Sequence, residues 1–260
     1  MNIEQDFLNV MSELNHDPLA SHPIASKITP LIDLTLLNHD ANDMALNTLQ
    51  SKLNTYPVAA VCVYPQHLKR VAVPSSIKKT TVVNFPEGVL SSERVCQDIE
   101  NLLQNEDIDE IDYVFPQGAA LEDEARALDH CNKAYQQCRE HHITFKAILE
   151  TGAIANADRI YALSQKIIEQ GCDFLKTSTG TTPIGATPLA AYAILRAIQE
   201  SGSTQCGLKV SGGIKLPQQA WFYIALAEHC LNRNVNKNWF RIGASSLLDE
   251  LYPQNKNKGQ

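Results

Sequence analysis

CDFLKTSTG, residues 172–180, begins like a buried strand and ends on a charge. Phe174 and Leu175 are typical of a strand that is covered on both faces, but Lys176 stands where a further apolar residue would be expected. Three small hydroxyl residues, 177–179, and Gly180 follow at once. The stretch therefore poses two questions, which are how the strand is placed in a sheet and why it ends on an ammonium group.

Similar apolar runs recur along the chain and alternate with segments of helical spacing. The eight runs are PLIDLT (30–35), VAAVCVY (58–64), TTVVNF (80–85), DEIDYVF (109–115), TFKAILE (144–150), CDFLKT (172–177), CGLKVS (206–211) and WFRIGA (239–244). Eight strands alternating with helices in about 220 residues predict a single (β/α)₈ TIM barrel. The alternative is a doubly wound open sheet, whose usual GxGxxG after the first strand is absent.

Helix boundaries and domain limits follow from the intervals. Asp158 is expected to open a helix that Gly171 closes, and a single long amphipathic helix is predicted over 121–140. Thr187 and Pro188 are expected to begin a further helix. The predicted organisation is an α-helical N-terminal extension (1–28), the barrel (29–252) and a loose polar tail (253–260).

Composition excludes several classes of function. The chain has 260 residues, 44% of them hydrophobic, and a formal net charge of −7, which argues against non-specific binding to nucleic acid or anionic membranes. No apolar run is long enough to span a bilayer, and the N-terminus does not resemble a signal peptide, so the cytoplasm is the default expectation. Seven scattered cysteines without CxxC predict reduced thiols, and the absence of HExxH or a Cys/His cluster predicts no metal site.

Ionisable side chains stand at the ends of several predicted strands, where barrels of this kind carry their active sites. They are Asp33, Cys62, Asp112, Lys146, Lys176 and Lys209. Lys176 and Lys209 end neighbouring strands, and two unit charges ~4 Å apart at an effective dielectric of ~20 repel by about 4 kcal/mol, or roughly 3 pKa units. One lysine would then be a free amine near neutral pH, able to form an imine with a carbonyl compound. The alternative is that each lysine pairs with an acid such as Asp112 or Asp33.

Glycine-rich turns follow the last two strands. SGGIK (211–215) and GASS (243–246) stand where barrels often bind phosphate through backbone amides, and the TSTG turn could add further donors. A plain turn is the alternative for each.

Eight ordered motifs together resemble one family. LIDLTLLN, VCVYP, VNFPEG, DEIDYVFP, FKAILETG, DFLKTSTG, GLKVSGGIK and FRIGASSLL, which span about 30–248, are similar to the motifs of deoxyribose-phosphate aldolase, most closely to its longer form from enteric bacteria. The resemblance implies a class I aldolase of deoxyribonucleotide catabolism that cleaves 2-deoxy-D-ribose 5-phosphate to D-glyceraldehyde 3-phosphate and acetaldehyde. It also implies that neither a metal nor an organic cofactor is used, and that the partners are a phosphosugar and an aldehyde, with a homodimer as one assembly compatible with the sequence.

The resemblance also implies residue roles. Lys176 would form the imine, Lys209 would lower its pKa, and Asp112 would shuttle protons with a water. Asp33, Cys62, Lys146 and Thr177 would line the substrate pocket. The phosphate would bind at Gly180, Gly212, Gly213, Ile214, Lys215, Gly243, Ser245 and Ser246.

Three departures from the family pattern concern the phosphate and the last proton transfer. Thr181 replaces a lysine, Ile214-Lys215 replaces Val-Arg, and the last tyrosine, Tyr252, lies eight residues before the end. Two alternatives to the family activity therefore remain. One is a Schiff-base aldolase that prefers unphosphorylated acceptors, and the other is a phosphosugar-binding barrel without turnover.

Overall fold

Each apolar run forms a strand, and the strands pair in chain order. The computed structural model describes residues 2–14 and 24–253. The strands are β1 (Ile32–Leu36), β2 (Ala60–Val63), β3 (Lys78–Val83), β4 (Glu110–Val114), β5 (Thr144–Ile148), β6 (Phe174–Lys176), β7 (Gly207–Ser211) and β8 (Phe240–Ala244). All pairings are parallel, and β8 pairs with β1 to close the sheet. The predicted (β/α)₈ barrel is confirmed, and the open doubly wound sheet is excluded.

Helices cover the outside of the barrel. They are α1 (Ile3–Glu13), α2 (Ile24–Ile28), α3 (Asp43–Thr55), α4 (Ser92–Asn105), α5 (Gln117–Glu122), α6 (Glu124–Glu140), α7 (Ala157–Gln170), α8 (Pro188–Ser201), α9 (Pro217–Leu231) and α10 (Leu247–Leu251). Side-chain caps start several of them, as the sequence predicts for α8, where the Thr187 hydroxyl accepts from the amide of Ala190 at 3.2 Å. No helix within the described ranges has the length and apolarity to cross a bilayer.

Two helix boundaries differ from the sequence-based prediction. The long helix predicted over 121–140 is two helices, because Asp123 has an extended backbone (φ −148°) that breaks α5 and its carboxylate caps α6 through the amide of Arg126 at 3.0 Å. Asp158 does not cap α7, since Asn156 does so. Instead, the Asp158 carboxylate accepts from the amide of Ile3 at 3.1 Å and so holds the start of α1.

The N-terminal helix packs on the outer face of the barrel. Helix α1 contacts α7 and α8, Ile3 is fully buried, and the rings of Phe7 and Tyr192 lie 5.6 Å apart. This is the packing expected of a helical extension. Residues 15–23 of that extension and 254–260 of the predicted tail lie outside the described residues.

Alternation along β4 and β5 separates an apolar outer face from a polar inner one. The rings of Tyr113 of β4 and Phe145 of β5 are tilted, with centroids 5.3 Å apart, and the ring of Phe145 also lies 5.8 Å from that of Tyr135 of α6, so this face points toward the helices. Because side chains alternate along a strand, the intervening residues point into the barrel. Those of β4 are Glu110 and Asp112, and an inner layer of charge results.

Candidate active site

Two lysines lie side by side at neighbouring strand ends. Lys176 of β6 and Lys209 of β7 are direct partners in the strand register. Lys176 is 2% exposed and Lys209 is fully buried. The Nζ atoms of both contact the same carboxylate oxygen, Oδ2 of Asp112, at 2.7 Å. The prediction that Lys176 and Lys209 are neighbours is confirmed. Asp112, which was the alternative partner for each lysine, lies between them.

Asp112 is shared by three lysines. Its other oxygen, Oδ1, accepts from Nζ of Lys146 at 3.0 Å. Burial alone would raise the pKa of Asp112, but Lys146, Lys176 and Lys209 outweigh burial and hold it well below its ordinary value. Asp112 is therefore ionised at every physiological pH, and it can hold a proton-bearing group or a water in place.

The two neighbouring lysines have different electrostatic environments. Burial lowers the pKa of Lys176, and the charge of Lys209 adds to this effect, while Asp112 opposes it. Lys209 is likewise desolvated, but it contacts both Asp112 and Asp33, the latter at 2.6 Å, and these anions raise its pKa well above the ordinary range. Lys176 is thus the better candidate for a free amine, and Lys209 stays an ammonium ion.

Sequence reasoning missed two residues of this cluster. Glu110 contacts Lys146 at 2.5 Å, and Arg241 contacts Asp33 at 2.6 Å and Glu110 at 2.9 Å. Both stand inside the motifs quoted above, at the start of strands rather than at their ends. The period of two along β4 places Glu110 on the same face as Asp112 and could have identified it.

Asp33, Cys62, Lys146 and Thr177 are all predicted to line the substrate pocket, but all four are fully buried and none lies in the lining of the cavity above Lys176. Asp33 and Lys146 instead belong to the ion-pair cluster. Cys62 is fully buried, and burial together with Asp112 raises the pKa of its thiol to about 11. Thr177 is also fully buried, and its hydroxyl donates to the carbonyl of Ser211 at 3.1 Å and accepts from the Ser211 amide at 3.0 Å. Thr177 therefore ties the end of β6 to β7.

A cavity of about 280 Å³ opens above Lys176. It collects residues from the ends of β1, β6, β7 and β8, and its lining is Thr35, Leu37, Lys176, Thr179, Gly180, Thr181, Ser211, Gly212, Gly213, Ile214, Lys215, Gly243, Ala244 and Ser245. Every predicted phosphate residue except Ser246 is in this lining. A larger cavity of about 620 Å³ lies beside α4, but its lining includes no member of the lysine cluster, so the smaller one is the better candidate.

The double-glycine turn after β7 has a backbone that other residues would not adopt. Gly212 and Gly213 have φ of 88° and 81°, and a Cβ on Gly212 would lie 2.8 Å from the Cα of Gly185. The side chain of Gln219 accepts from the amides of Lys215 and Leu216, both at 2.9 Å. The exposed side chain of Lys215 lines the cavity, whereas its backbone amide already donates to Gln219.

A buried carboxylate holds the TSTG turn. Glu150 is 8% exposed and has a left-handed backbone, with φ of 50°. Its carboxylate accepts from the amide of Thr179 at 3.1 Å, from the hydroxyl of Thr179, and from the hydroxyl of Thr182 at 3.1 Å. Thr181, which lines the cavity, lies with its hydroxyl 2.8 Å from that of Thr179. The sequence did not single out Glu150, although it ends the fifth apolar run.

Tyr252 lies at the opposite end of the barrel from the lysines. Its hydroxyl is 3.0 Å from that of Thr29, which precedes β1, and its ring stacks on Tyr56, which follows α3, at 4.6 Å. Tyr252 therefore does not supply the proton-transfer tyrosine of the family pattern.

Gly243 gives a test of how closely the cluster is packed. A Cβ at this position would lie 2.9 Å from the Cβ of Ser211 and 3.3 Å from Cε of Lys209. Gly243→Ala is expected to displace Lys209 and to reduce kcat by about 10- to 100-fold, since small misplacements of reacting groups have effects of that order. Gly118→Ala is the control, because its added methyl meets nothing within 4 Å. Equal kcat in the two variants would show that Lys209 tolerates displacement.

Comparison with known proteins assigns the chain to a family. Similar solved structures include a candidate deoxyribose-phosphate aldolase from Coccidioides immitis (22% identity over 98% of each chain, TM-score 0.77). An apo candidate deoxyribose-phosphate aldolase from Toxoplasma gondii has 21% identity, covers 90% of this chain and 96% of its own, and has a TM-score of 0.79. The deoxyribose phosphate aldolase of Aeropyrum pernix, described as a tetramer, has 22% identity, covers 97% and 98% of the two chains, and has a TM-score of 0.71. These structures show a shared fold. A model of DeoC/LacD family aldolases matches residues 28–249. The chain therefore belongs to the DeoC/LacD family of aldolases.

Proposed function

We propose that the protein is a class I aldolase that reversibly cleaves 2-deoxy-D-ribose 5-phosphate to D-glyceraldehyde 3-phosphate and acetaldehyde through a Schiff base on Lys176. The observation that carries this proposal is the position of Lys176, whose amine is desolvated beside Lys209 and opens onto the cavity. A neutral amine in such a place is a nucleophile toward aldehydes. The neighbouring phosphate-type glycine turns support a phosphorylated substrate.

The Lys176 amine adds to the C1 aldehyde of the open-chain sugar and water leaves, which gives a protonated imine. The 3-hydroxyl then loses its proton to a water held by Asp112, and the C2–C3 electron pair moves into the imine. D-Glyceraldehyde 3-phosphate departs and an enamine remains on Lys176. Protonation of the enamine carbon and hydrolysis of the resulting imine release acetaldehyde and restore the amine. Lys209 stays cationic and keeps Asp112 ionised throughout.

The phosphate end of the substrate would meet the turns after β7 and β8. Gly212 and Gly213 bring the backbone close to the cavity without side chains, and Ser245 and Lys215 supply a hydroxyl and a positive charge. In the described lining, Lys215 and Lys176 are the cationic residues. Since Lys176 is the proposed nucleophile, Lys215 would be left to neutralise the phosphate dianion. The family pattern would place a further lysine at position 181.

That weaker positive charge favours a second candidate function, an aldolase of the same chemistry with an unphosphorylated acceptor. Thr181 brings no charge, and the Glu150 carboxylate lies directly beneath the same turn. A binding barrel without turnover is the less favoured alternative, because recognition of a sugar phosphate does not require a desolvated amine. Burial of a lysine amine costs free energy, and a site that only bound a sugar phosphate would gain nothing in return for that cost.

A paired assay tests the proposed function. Purified protein is incubated with 2-deoxy-D-ribose 5-phosphate and, separately, with 2-deoxy-D-ribose, and acetaldehyde release is followed by a coupled dehydrogenase. The proposal expects kcat/KM to be higher for the phosphorylated sugar. Preference for the unphosphorylated sugar would establish the second candidate, and release from neither would leave the binding barrel.

The charge at position 181 should set affinity for the phosphate. Thr181→Lys is expected to lower KM for the phosphorylated sugar about five- to tenfold, because it adds a cation at the exposed rim of the cavity. The kcat for unphosphorylated deoxyribose should remain nearly unchanged. Thr204→Lys adds the same charge at an exposed site outside the cavity lining and serves as the control. Unchanged KM in Thr181→Lys would mean that position 181 does not face the phosphate.

A further inference from the structure

The charged residues inside the barrel form a chain of alternating sign. From Oδ2 of Asp112 it runs to Lys209 at 2.7 Å and from Lys209 to Oδ2 of Asp33 at 2.6 Å. The other oxygen of Asp33 contacts Nη1 of Arg241 at 2.6 Å. This half of the chain crosses β4, β7, β1 and β8.

The second half returns to the starting residue. Nη2 of Arg241 contacts Oε1 of Glu110 at 2.9 Å, and Oε2 of Glu110 contacts Lys146 at 2.5 Å. Lys146 then contacts Oδ1 of Asp112 at 3.0 Å. The six side chains therefore close a ring, which we call the charge ring and which consists of Asp33, Glu110, Asp112, Lys146, Lys209 and Arg241.

The charge ring is electrically balanced without Lys176. It holds three carboxylates and three cations, and none of the six residues is more than 5% exposed. Lys176 contacts the ring through Asp112 alone, so a protonated Lys176 would leave one net positive charge in a buried space. A net buried charge is disfavoured strongly, and the group that is least firmly paired is the one that gives up its proton.

We propose that Glu110 and Arg241 are positioning residues for the proposed imine chemistry, because they complete the charge ring and thereby make Lys176 the surplus cation that the site keeps as a free amine. The proposal rests on the proposed function for the use of that amine. In a simple lysine pair, Lys209 alone would determine whether Lys176 is protonated. In the charge ring, Glu110 and Arg241 also determine it, although neither touches Lys176.

The other ionisable groups near Lys176 do not alter this balance. Cys62 is a neutral thiol because its pKa is raised to about 11. Asp173, which precedes β6, is partly exposed, and its carboxylate accepts from the amide of Phe145 at 2.7 Å. The Glu150 carboxylate accepts hydrogen bonds from the Thr179 amide and the Thr182 hydroxyl at the mouth of the cavity.

A purely structural role is the alternative for the ring. Ion pairs across five strands could fix the register of the barrel, and a buried network of this kind often contributes little to stability compared with apolar packing. That role predicts loss of stability when either Glu110 or Arg241 is changed, in the same direction. The charge-balance proposal predicts opposite effects of the two changes on Lys176.

Three variants separate these predictions: Glu110→Gln, Arg241→Gln and the double variant. Glu110→Gln removes an anion, so Lys176 should become a free amine at lower pH. Arg241→Gln removes a cation, so Lys176 should hold its proton to higher pH. Each shift should be about one pH unit, as expected for a unit charge ~10 Å away at an effective dielectric of about 20. The double variant restores the balance and should return close to the parent.

The readout is the rate of reductive methylation of Lys176 by formaldehyde and cyanoborohydride, measured from pH 6 to 10 by mass spectrometry of the peptide that contains Lys176. It reports the free amine directly and needs no turnover. If the parent fails to cleave deoxyribose 5-phosphate while the methylation profiles shift as expected, the proposed function fails and the charge-balance proposal stands.

Shifts in the same direction, no shift, or a double variant that does not return would overturn the proposal. If Arg241→Gln does not fold, Arg241→Lys replaces it in the comparison with Glu110→Gln. Arg241→Lys keeps the charge and should leave the methylation profile within about 0.3 pH unit of the parent, whereas Glu110→Gln should still shift it toward acid. A shift in Arg241→Lys as large as that in Glu110→Gln would overturn the proposal as well.

Discussion

Lys176→Met is expected to abolish turnover, with kcat lower by at least about 10⁴-fold, and to abolish covalent trapping by borohydride with acetaldehyde. The thioether fills the same buried space but cannot form an imine. The fold should survive, because Lys176 is the surplus cation and its removal leaves the charge ring intact. Aldehyde release and intact mass after borohydride treatment measure the two effects.

Lys133→Met is the matched control, since Lys133 is an exposed lysine on α6 that pairs with Asp129 at 2.7 Å. Its variant should keep the parent's activity and its single trapped adduct. In the parent, that adduct should map to the peptide containing FLKTSTG. An adduct on Lys209, or trapping that survives in Lys176→Met, would contradict the assignment of the nucleophile.

Lys209→Leu is expected to lower kcat at pH 7 by about 100-fold and to regain much of it at alkaline pH. The present pKa of Lys176 is lowered by burial and by the charge of Lys209. Without that charge, burial still lowers the pKa of Lys176, but no neighbouring cation offsets the effect of Asp112, so the pKa rises and the amine is protonated at pH 7. The activity then appears only as the pH rises through the new, higher pKa.

The measurement is a pH–rate profile of kcat/KM beside a pH series of borohydride trapping. Both should move to the alkaline side together. A loss of activity by the same factor at all pH values would mean that Lys209 takes part in bond making or serves only the fold. Thermal unfolding of the same sample at each pH separates a misfolded variant from an altered amine.

The architecture could be predicted from the sequence because each strand carries its own signal. Apolar runs of six or seven residues, separated by capped helices, are sufficient to predict a barrel, and the strand ends place Lys176 beside Lys209. The break at Asp123 could not be predicted from helical periodicity, because the residues on both sides keep that period and only a side-chain cap ends the helix.

The sequence predicts the residues of the candidate site better than it predicts the contacts between them. Spacing indicates that Asp112 faces the lysines, but it does not tell which lysine has a second anion. The pairing of Lys209 with Asp33 depends on strands that are far apart in the chain and meet only when the barrel closes. Glu110 and Arg241 were missed for a different reason, since side chains near the start of a strand ordinarily pack the lower part of the barrel.

The closed form of the charge ring has a consequence for how this barrel can diverge. A substitution that removes one of the six charges gives the buried ring a net charge. A single substitution is therefore destabilising even when the new side chain fits the space. Exchanges that remove one anion and one cation together avoid this penalty, and some of them involve strands remote in sequence, such as β4 with Glu110 and β8 with Arg241. Sequence drift at these six positions should therefore proceed by correlated pairs, with β4 and β8 changing in concert.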